Sequence, residues 1–128
     1  MRRLACVAFA LIASGVVWAA ADPVEPQART RTTAVGIGLH EYRIAVYRSR
    51  VRPGRVRLNI ENLGEDDHDL QVSGPSGSSP VRATSPEIEP GQRARLTVTL
   101  RKRGVYRLIC TLGDHAGQGM VAHIRVVR

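Results

Sequence analysis

The sequence has few residues of the types that cross-link a chain or build large aromatic clusters. Among its 128 residues are two cysteines, one tryptophan and one phenylalanine. Cys6 lies in an N-terminal segment that we expect to be removed, which leaves Cys110 alone in the mature chain. A lone cysteine in an oxidising compartment cannot form an internal disulfide. Cys110 is therefore buried and inert, paired between chains, or used for chemistry.

The sequence also lacks the combination of a basic patch with aromatic residues or a recognisable motif that nucleic-acid binding usually shows. The formal net charge is +8, and all of the 19 basic residues except Lys102 are arginine. These arginines are scattered along the chain, and neither Phe nor Trp lies beside them in the mature sequence. Nucleic-acid interfaces usually combine a basic patch with a recognisable motif. We therefore expect no nucleic-acid partner.

The N-terminus has the order of a secretory signal peptide. Two arginines are followed by an uncharged apolar stretch over residues 4–17, and small residues precede a cleavage position after Ala21. We therefore assign residues 1–21 to a signal peptide. An uncleaved anchor is the alternative, because the stretch is just long enough to span a bilayer. We expect an exported protein, periplasmic or extracellular, with no stable membrane insertion after cleavage.

The rest of the chain divides into a short leader and one domain. Residues 22–34 are polar, contain two prolines and show no periodicity, so they predict a flexible leader. From residue 35 onward, polar and apolar residues alternate in short runs, as half-buried strands require. The clearest runs are residues 42–46, 56–61, 96–100, 106–108 and 122–126.

Turn-forming residues separate these runs. Pro53-Gly54, Pro90-Gly91 and Arg103-Gly104 are typical turn pairs, and residues 73–80 form a loop rich in Ser, Gly and Pro. No window shows a helical period. We predict that residues 35–128 form an all-β Greek-key β-sandwich of about seven to eight strands.

One loop gathers unusual residues at regular spacing. Cys110, His115 and Met120 follow the pattern Cys-x4-His-x4-Met, and the segment lies between two well-patterned strands. Upstream, His68 shares parity with Leu70, which should face inward. Two imidazoles, a thiolate and a thioether favour copper, because this set accepts both Cu(I) and Cu(II). Zinc more often recruits four strong ligands, and Met is a poor one for it.

With these motifs, residues from about 51 to 128 resemble the cupredoxins, the type 1 blue copper proteins. The matching stretches are Asn62-Leu63-Gly64 before His68-Asp69-Leu70, Glu89-Pro90-Gly91, Gly104-Val105-Tyr106 and Cys110 to Met120. The resemblance implies a Greek-key sandwich, single-electron transfer and one type 1 copper ion held by His68, Cys110, His115 and Met120. It also implies that His115 is the ligand at the solvent edge and that Asp69 and Thr111 join the two ligand loops by hydrogen bonds.

One feature departs from the resemblance, and other residues have simpler interpretations. Many cupredoxins read Pro-Gly-His before the second histidine, whereas this chain reads Gly113-Asp114-His115. His123 alternates with core residues and is predicted to lie on the surface. His40 is predicted to begin a strand as a partly satisfied edge residue. The acidic run 65–67 predicts a solvated turn, and His68 could belong to that turn.

We predict an electron carrier rather than an enzyme. Multicopper oxidases carry His-x-His pairs, which are absent here, and a binuclear copper centre needs a second cysteine. The expected partners are redox proteins, with acidic ones favoured because the chain is basic, and the protein is expected to be a monomer. The alternative is an extracytoplasmic copper-handling protein that stores or delivers copper without transferring electrons, because the same ligands serve both roles.

Overall fold

The structure is a computed structural model that describes residues 31–75 and 80–128, which contain nine β-strands and no α-helix. The strand bounds, in chain order, are β1 (Thr33–His40), β2 (Arg43–Val46), β3 (Arg50–Val51), β4 (Gly54–Asn62), β5 (Gln71–Ser73), β6 (Val81–Thr84), β7 (Arg93–Leu100), β8 (Gly104–Ile109) and β9 (Val121–Val126). The all-β prediction is confirmed. The strand number exceeds the expected seven to eight, since it includes β3 of only 2 residues.

The strands form two sheets with interleaved connections. One sheet has the order β2-β1-β4-β7, and the other has the order β3-β9-β8-β5-β6. The chain crosses between the sheets five times, from β2 to β3, β3 to β4, β4 to β5, β6 to β7 and β7 to β8, so sequence neighbours often lie in opposite layers. The pairs β1–β4 and β3–β9 are parallel. This arrangement confirms the predicted Greek-key sandwich.

Alternation along the strands builds the core between the sheets. In β4, Val56, Leu58 and Ile60 are buried, while the residues between them are exposed. Similar alternation buries Tyr106 and Leu108 of β8. Burial of each large apolar side chain in this way stabilises the folded state by roughly 1.5–3 kcal/mol relative to leaving it exposed. The period-2 pattern in the sequence therefore identified the inner faces of these strands.

The first strand differs from the sequence-based expectations in two respects, the start of the domain and the position of His40. β1 begins at Thr33, two residues before the boundary assigned to the domain, because its first residues pair in parallel with β4. His40 ends this strand instead of beginning one. A two-residue turn, Glu41 and Tyr42, then leads into β2, and Tyr42 takes a left-handed φ of 57°.

The predicted signal peptide, 1–21, and residues 22–30 of the predicted leader lie outside the described residues. Within the described part, no helix has the length and apolar character that crossing a bilayer requires.

Strand pairing brings three connections to one end of the sandwich. Leu39 near the end of β1 lies beside Asn62 at the end of β4, because these strands are parallel. Gln71 at the start of β5 pairs with Ile109 at the end of β8. The β1–β2 turn, the β4–β5 loop and the β8–β9 loop are therefore neighbours. Two of these three connections carry the predicted ligands.

Candidate metal centre

Three of the four predicted ligands face one another. His68 Nδ1 lies 3.2 Å from His115 Nδ1 and 3.9 Å from Cys110 Sγ. Cys110 Sγ lies 3.6 Å from His115 Nδ1. These residues form a group whose potential ligand atoms all lie within 4.8 Å of one another. The β4–β5 loop supplies His68, and the other two residues come from the end of β8 and the loop that follows.

The triangle has the size that one metal ion requires. Three donors spread evenly around one ion, about 2.0 Å from nitrogen and about 2.3 Å from sulfur as in zinc sites, would lie about 3.5 Å and about 3.7 Å apart. The observed edges of 3.2, 3.6 and 3.9 Å are close to these values. A His2Cys trigonal set is typical of blue copper centres. The donor set and its spacing therefore fit one type 1 copper ion.

The predicted ligands differ in their exposure to solvent. His68 and Cys110 are fully buried, whereas His115 is half-buried. Burial raises the pKa of the Cys110 thiol, and backbone hydrogen bonds oppose this effect only in part. Because a metal binds the thiolate, metal uptake at this residue requires release of the thiol proton. The half-buried His115 ring is the part of the triangle closest to solvent.

Met120 lies at the closing end of the loop. Its side chain is fully buried. Its N–H donates to the His115 carbonyl at 2.9 Å, and its own carbonyl accepts from the Cys110 N–H at 3.3 Å. These two bonds place the Met120 backbone beside both other ligands of the loop. Its role as an axial sulfur donor remains a prediction.

The β8–β9 loop is shaped by its own backbone. Successive turns are closed by hydrogen bonds from His115 N to Leu112 O, Gln118 N to Asp114 O and Gly119 N to Ala116 O. Gly113 and Gly119 take positive φ angles of 48° and 110°, which glycine adopts without the steric cost that other residues meet. The ligand spacing in the sequence therefore corresponds to a compact run of turns.

Asp69 joins the two ligand loops. The side chain is buried, its Oδ1 accepts from the Thr111 N–H at 2.5 Å, and its Oδ2 accepts from the Thr111 hydroxyl. This is the contact that the family resemblance implied. The bonds fix the residue after His68 to the residue after Cys110. An effect of this pair on a bound metal remains a prediction.

Asn62 braces the His68 loop, a role that the sequence did not indicate. This buried side chain donates from Nδ2 to the carbonyls of Asp66 and Ile88, both at 2.8 Å, and its Oδ1 accepts from Gly64 N at 3.0 Å. His68 and Ile88 also exchange two backbone bonds, of 3.1 and 2.7 Å. The position of Asn62 before Leu63 and Gly64 could have indicated this role, because Asn side chains often bond the backbone of such turns.

Glu41 is a second residue that the sequence did not indicate. Its Oε1 accepts from Glu65 N at 2.5 Å and from Asp66 N at 3.0 Å. These backbone donors, Asp66 foremost, lower the pKa of Glu41 to about 2. The same oxygen lies 3.5 Å from His68 Nε2. No local pattern relates these residues, because the contact depends on how the β1–β2 turn meets the β4–β5 loop.

The remaining candidates lie apart from the triangle. His123 is exposed on β9, as the alternation predicted, and His40 is half-buried at the end of β1. Residues 65–67 form an exposed turn. In the part of the chain that the structure describes, the group of His68, Cys110 and His115 is the only one of its kind.

The comparisons with known proteins concern the fold. No protein-family model matches the chain, and no curated protein matches it in sequence. Among solved structures, it is similar to a dithionite-reduced auracyanin from Roseiflexus castenholzii, at 19% identity and a TM-score of 0.64, over 75% of this chain and 98% of that one.

Two further solved structures are similar over most of their length. Auracyanin A, described as a "blue" copper protein from Chloroflexus aurantiacus, matches at 19% identity and a TM-score of 0.62, over 76% of this chain and 100% of that chain. Reduced rusticyanin matches at 18% identity and a TM-score of 0.60, over 75% of this chain and 79% of that chain. The chain has the cupredoxin fold. In this cupredoxin fold, the ligand triangle lies at the end where the β4–β5 and β8–β9 loops meet.

Proposed function

We propose that this cupredoxin-fold chain binds one type 1 copper ion through His68, Cys110, His115 and Met120 and transfers single electrons. The observation that supports the proposal most strongly is the triangle of His68 Nδ1, Cys110 Sγ and His115 Nδ1, with edges of 3.2 to 3.9 Å. Bound copper would supply a one-electron Cu(II)/Cu(I) couple.

The protein residues have separate tasks in this function. The two buried ligands, His68 and Cys110, keep their positions because the sandwich core and the Asp69–Thr111 bonds surround them. A ligand set that moves little suits both oxidation states of copper. His115 contacts the rings of Tyr42 and His68, with centroids 5.3 and 5.1 Å away. Its half-buried ring provides the exit for an electron.

The surface around His115 suits a brief encounter with a redox partner. Five residues of the loop around His115 are small or apolar, and we define the docking patch as Leu112, Gly113, Ala116, Gly117 and Gly119. The exposed polar side chains of Asp114 and Gln118 lie between them in the same loop. Weak redox complexes bury little surface, so a small patch is sufficient. The positive net charge would speed association with an acidic partner. We expect the protein to act as a monomer in these encounters.

We further propose that the protein works outside the cytoplasm. Residues 1–21 have the pattern of a signal peptide, with an uncleaved anchor as the alternative. The folded domain then comprises residues 33–128, since β1 begins at Thr33. The role that we propose is that of a carrier with one metal site, formed by the group of His68, Cys110 and His115.

Addition of Cu(II) to the purified mature chain tests the copper site. We expect one equivalent to bind with an intense blue absorption band, and a reversible one-electron midpoint potential in voltammetry. A colourless complex would overturn the type 1 assignment. Rapid reduction and reoxidation by small redox proteins, with slow copper loss to a chelator, would support the electron carrier.

Copper handling is the competing function, and rates measured on the copper-loaded protein separate the two functions. A protein that delivers copper must open its site, whereas the buried thiol and the packed rings around His115 favour retention. Fast copper transfer to an acceptor protein, together with slow electron self-exchange, would support delivery and contradict the electron-transfer proposal.

A further inference from the structure

One nitrogen of the candidate site faces away from the ligand triangle. His68 is fully buried, and its Nδ1 points towards Cys110 and His115. Its Nε2 is buried without a hydrogen-bond partner at normal distance in the described part of the chain. Buried polar atoms nearly always have a partner. Glu41 Oε1 lies 3.5 Å from this nitrogen.

The Glu41 carboxylate is held in place independently of His68. The backbone N–H groups of Glu65 and Asp66 both donate to its Oε1, at 2.5 and 3.0 Å. Gly64 leaves the space that this side chain occupies, because a Cβ at that position would lie 2.1 Å from Oε1. A fixed carboxylate oxygen therefore lies beside the unpaired nitrogen, with a glycine making room for it.

We propose that Glu41 is a positioning residue that accepts the His68 Nε2–H and so leaves the Nδ1 lone pair facing Cys110 and His115. This inference rests on the proposed copper site. A closure of about 0.5 Å brings the two atoms to a normal hydrogen-bond distance. Neutral imidazole carries one N–H, so a bond at Nε2 selects the tautomer that can bind a metal through Nδ1.

The bond would also affect the metal through the ligand. Carboxylates that accept the distal N–H of a ligating histidine fix the ring orientation and increase the basicity of the ligand. A negative charge near the site stabilises Cu(II) relative to Cu(I), which lowers the midpoint potential. Glu41 therefore has an expected effect that is distinct from bracing the loop.

The alternative is that Glu41 only braces the β4–β5 loop through Glu65 and Asp66. Glu41→Gln and Glu41→Ala distinguish the two roles, with Glu61→Gln as the matched control. Glu61 is a partly exposed carboxylate that bonds Arg93, 2.7 Å away, instead of His68. Glu41→Gln keeps an oxygen acceptor but removes the charge, whereas Glu41→Ala removes both.

Nitrogen-15 NMR of the metal-free protein gives the first readout. We expect the wild type and Glu61→Gln to hold His68 as the Nε2–H tautomer, with a slowly exchanging ring proton. Glu41→Ala should shift His68 towards a tautomer mixture and expose that proton to exchange. A wild-type His68 protonated at Nδ1 would overturn the proposal. Because this measurement needs no copper, it decides the role of Glu41 even if the copper proposal fails.

The midpoint potential of the copper-loaded protein gives the second readout. Glu41→Gln should raise the potential by about 59 mV, which corresponds to a tenfold change in the Cu(I)/Cu(II) affinity ratio. Glu61→Gln should change that ratio less than threefold. Variants at Glu41 that lower only the free energy of unfolding, with tautomer and potential unchanged, would show a loop brace and overturn the proposal. If Glu41→Ala does not fold, the tautomer of His68 in the metal-free wild type and in Glu41→Gln still decides through nitrogen-15 NMR.

Discussion

The two loops that carry the candidate ligands are held in different ways. The β4–β5 loop with His68 is braced from outside, by the Asn62 side chain, by Ile88 and by the Glu41 carboxylate. The β8–β9 loop is held mainly by a series of backbone turns within itself. The Asp69–Thr111 bonds join the two.

This difference separates a fixed half of the site from an accessible half. His68 is fully buried among side chains that other elements supply, whereas His115 is half-buried in a loop of small residues. A redox site needs both properties, because the ligands must keep their geometry while one of them meets a partner. The comparison predicts that mutations in the β4–β5 loop mainly affect stability and copper binding, whereas mutations around His115 mainly affect the rate of electron transfer.

The largest expected effect concerns the predicted ligands, of which each loop supplies at least one. Cys110→Ser and His68→Ala should each abolish the blue absorption band, because both remove a donor from the triangle. His40→Ala and His123→Ala should leave the band and the copper stoichiometry unchanged. Visible spectroscopy with metal analysis measures both results. Loss of the band in His123→Ala would show that the assigned ligand set is wrong.

The contiguous loop was predictable because its ligands are close in sequence. The Cys-x4-His-x4-Met spacing places three donors on one connection between two strands, whatever the order of the strands in the sheets. His68 was identified from its parity with inward-facing Leu70. The inner faces of β4 and β8 were predicted from period-2 alternation, because this alternation is a property of each strand and does not depend on the order of the strands in the sheet.

The braces of the other loop were not predictable, because they depend on sheet order. Glu41 reaches the β4–β5 loop only because β1 and β4 pair in parallel, and alternation does not specify strand partners. β1 was also not among the clearest predicted runs, since Gly36 and Gly38 weaken its pattern. A Cβ at Gly36 would lie 2.8 Å from the Tyr47 ring, and one at Gly38 would lie 2.9 Å from its hydroxyl, so these glycines accommodate Tyr47.

The second prediction tests the claim that the His68 loop is braced by side chains. Asn62→Ala should lower the free energy of unfolding by about 2–3 kcal/mol, because it removes the three hydrogen bonds through which this buried side chain holds the loop. Gln118→Ala, at an exposed position of the β8–β9 loop, should change it by less than about 0.5 kcal/mol. Urea denaturation of the metal-free variants measures both. Equal losses would contradict the proposed difference between the loops.

The third prediction concerns Met120 at the junction of the β8–β9 loop and the core. Met120→Leu nearly conserves the buried volume, so the free energy of unfolding should fall by less than about 1.5 kcal/mol. The blue band should persist while the midpoint potential rises, because loss of the weak sulfur donor destabilises Cu(II) more than Cu(I). Voltammetry measures the shift, and an unchanged potential would place Met120 away from the metal.

The smallest structural change tests the accessible half of the site. Ala116→Glu adds a charge within the docking patch beside His115, where Ala116 is half-buried. A partner must approach the imidazole edge closely, because electron tunnelling falls steeply with distance. We therefore expect slower electron self-exchange and slower partner reduction, with a nearly unchanged blue spectrum. Stopped-flow mixing and NMR line broadening measure these rates.

Thr99→Glu is the matched control for this change. It adds the same charge at an exposed position of β7, where Thr99 pairs with Arg55 at the end of the sandwich opposite to the ligand loops. Since both variants lower the net charge equally, long-range electrostatic steering should change by similar amounts, and only Ala116→Glu should obstruct contact. Copper release to a chelator should be slow in both. Unaltered self-exchange in Ala116→Glu, with impaired copper transfer to an acceptor protein, would contradict electron transfer through His115 and favour copper delivery by the same loop.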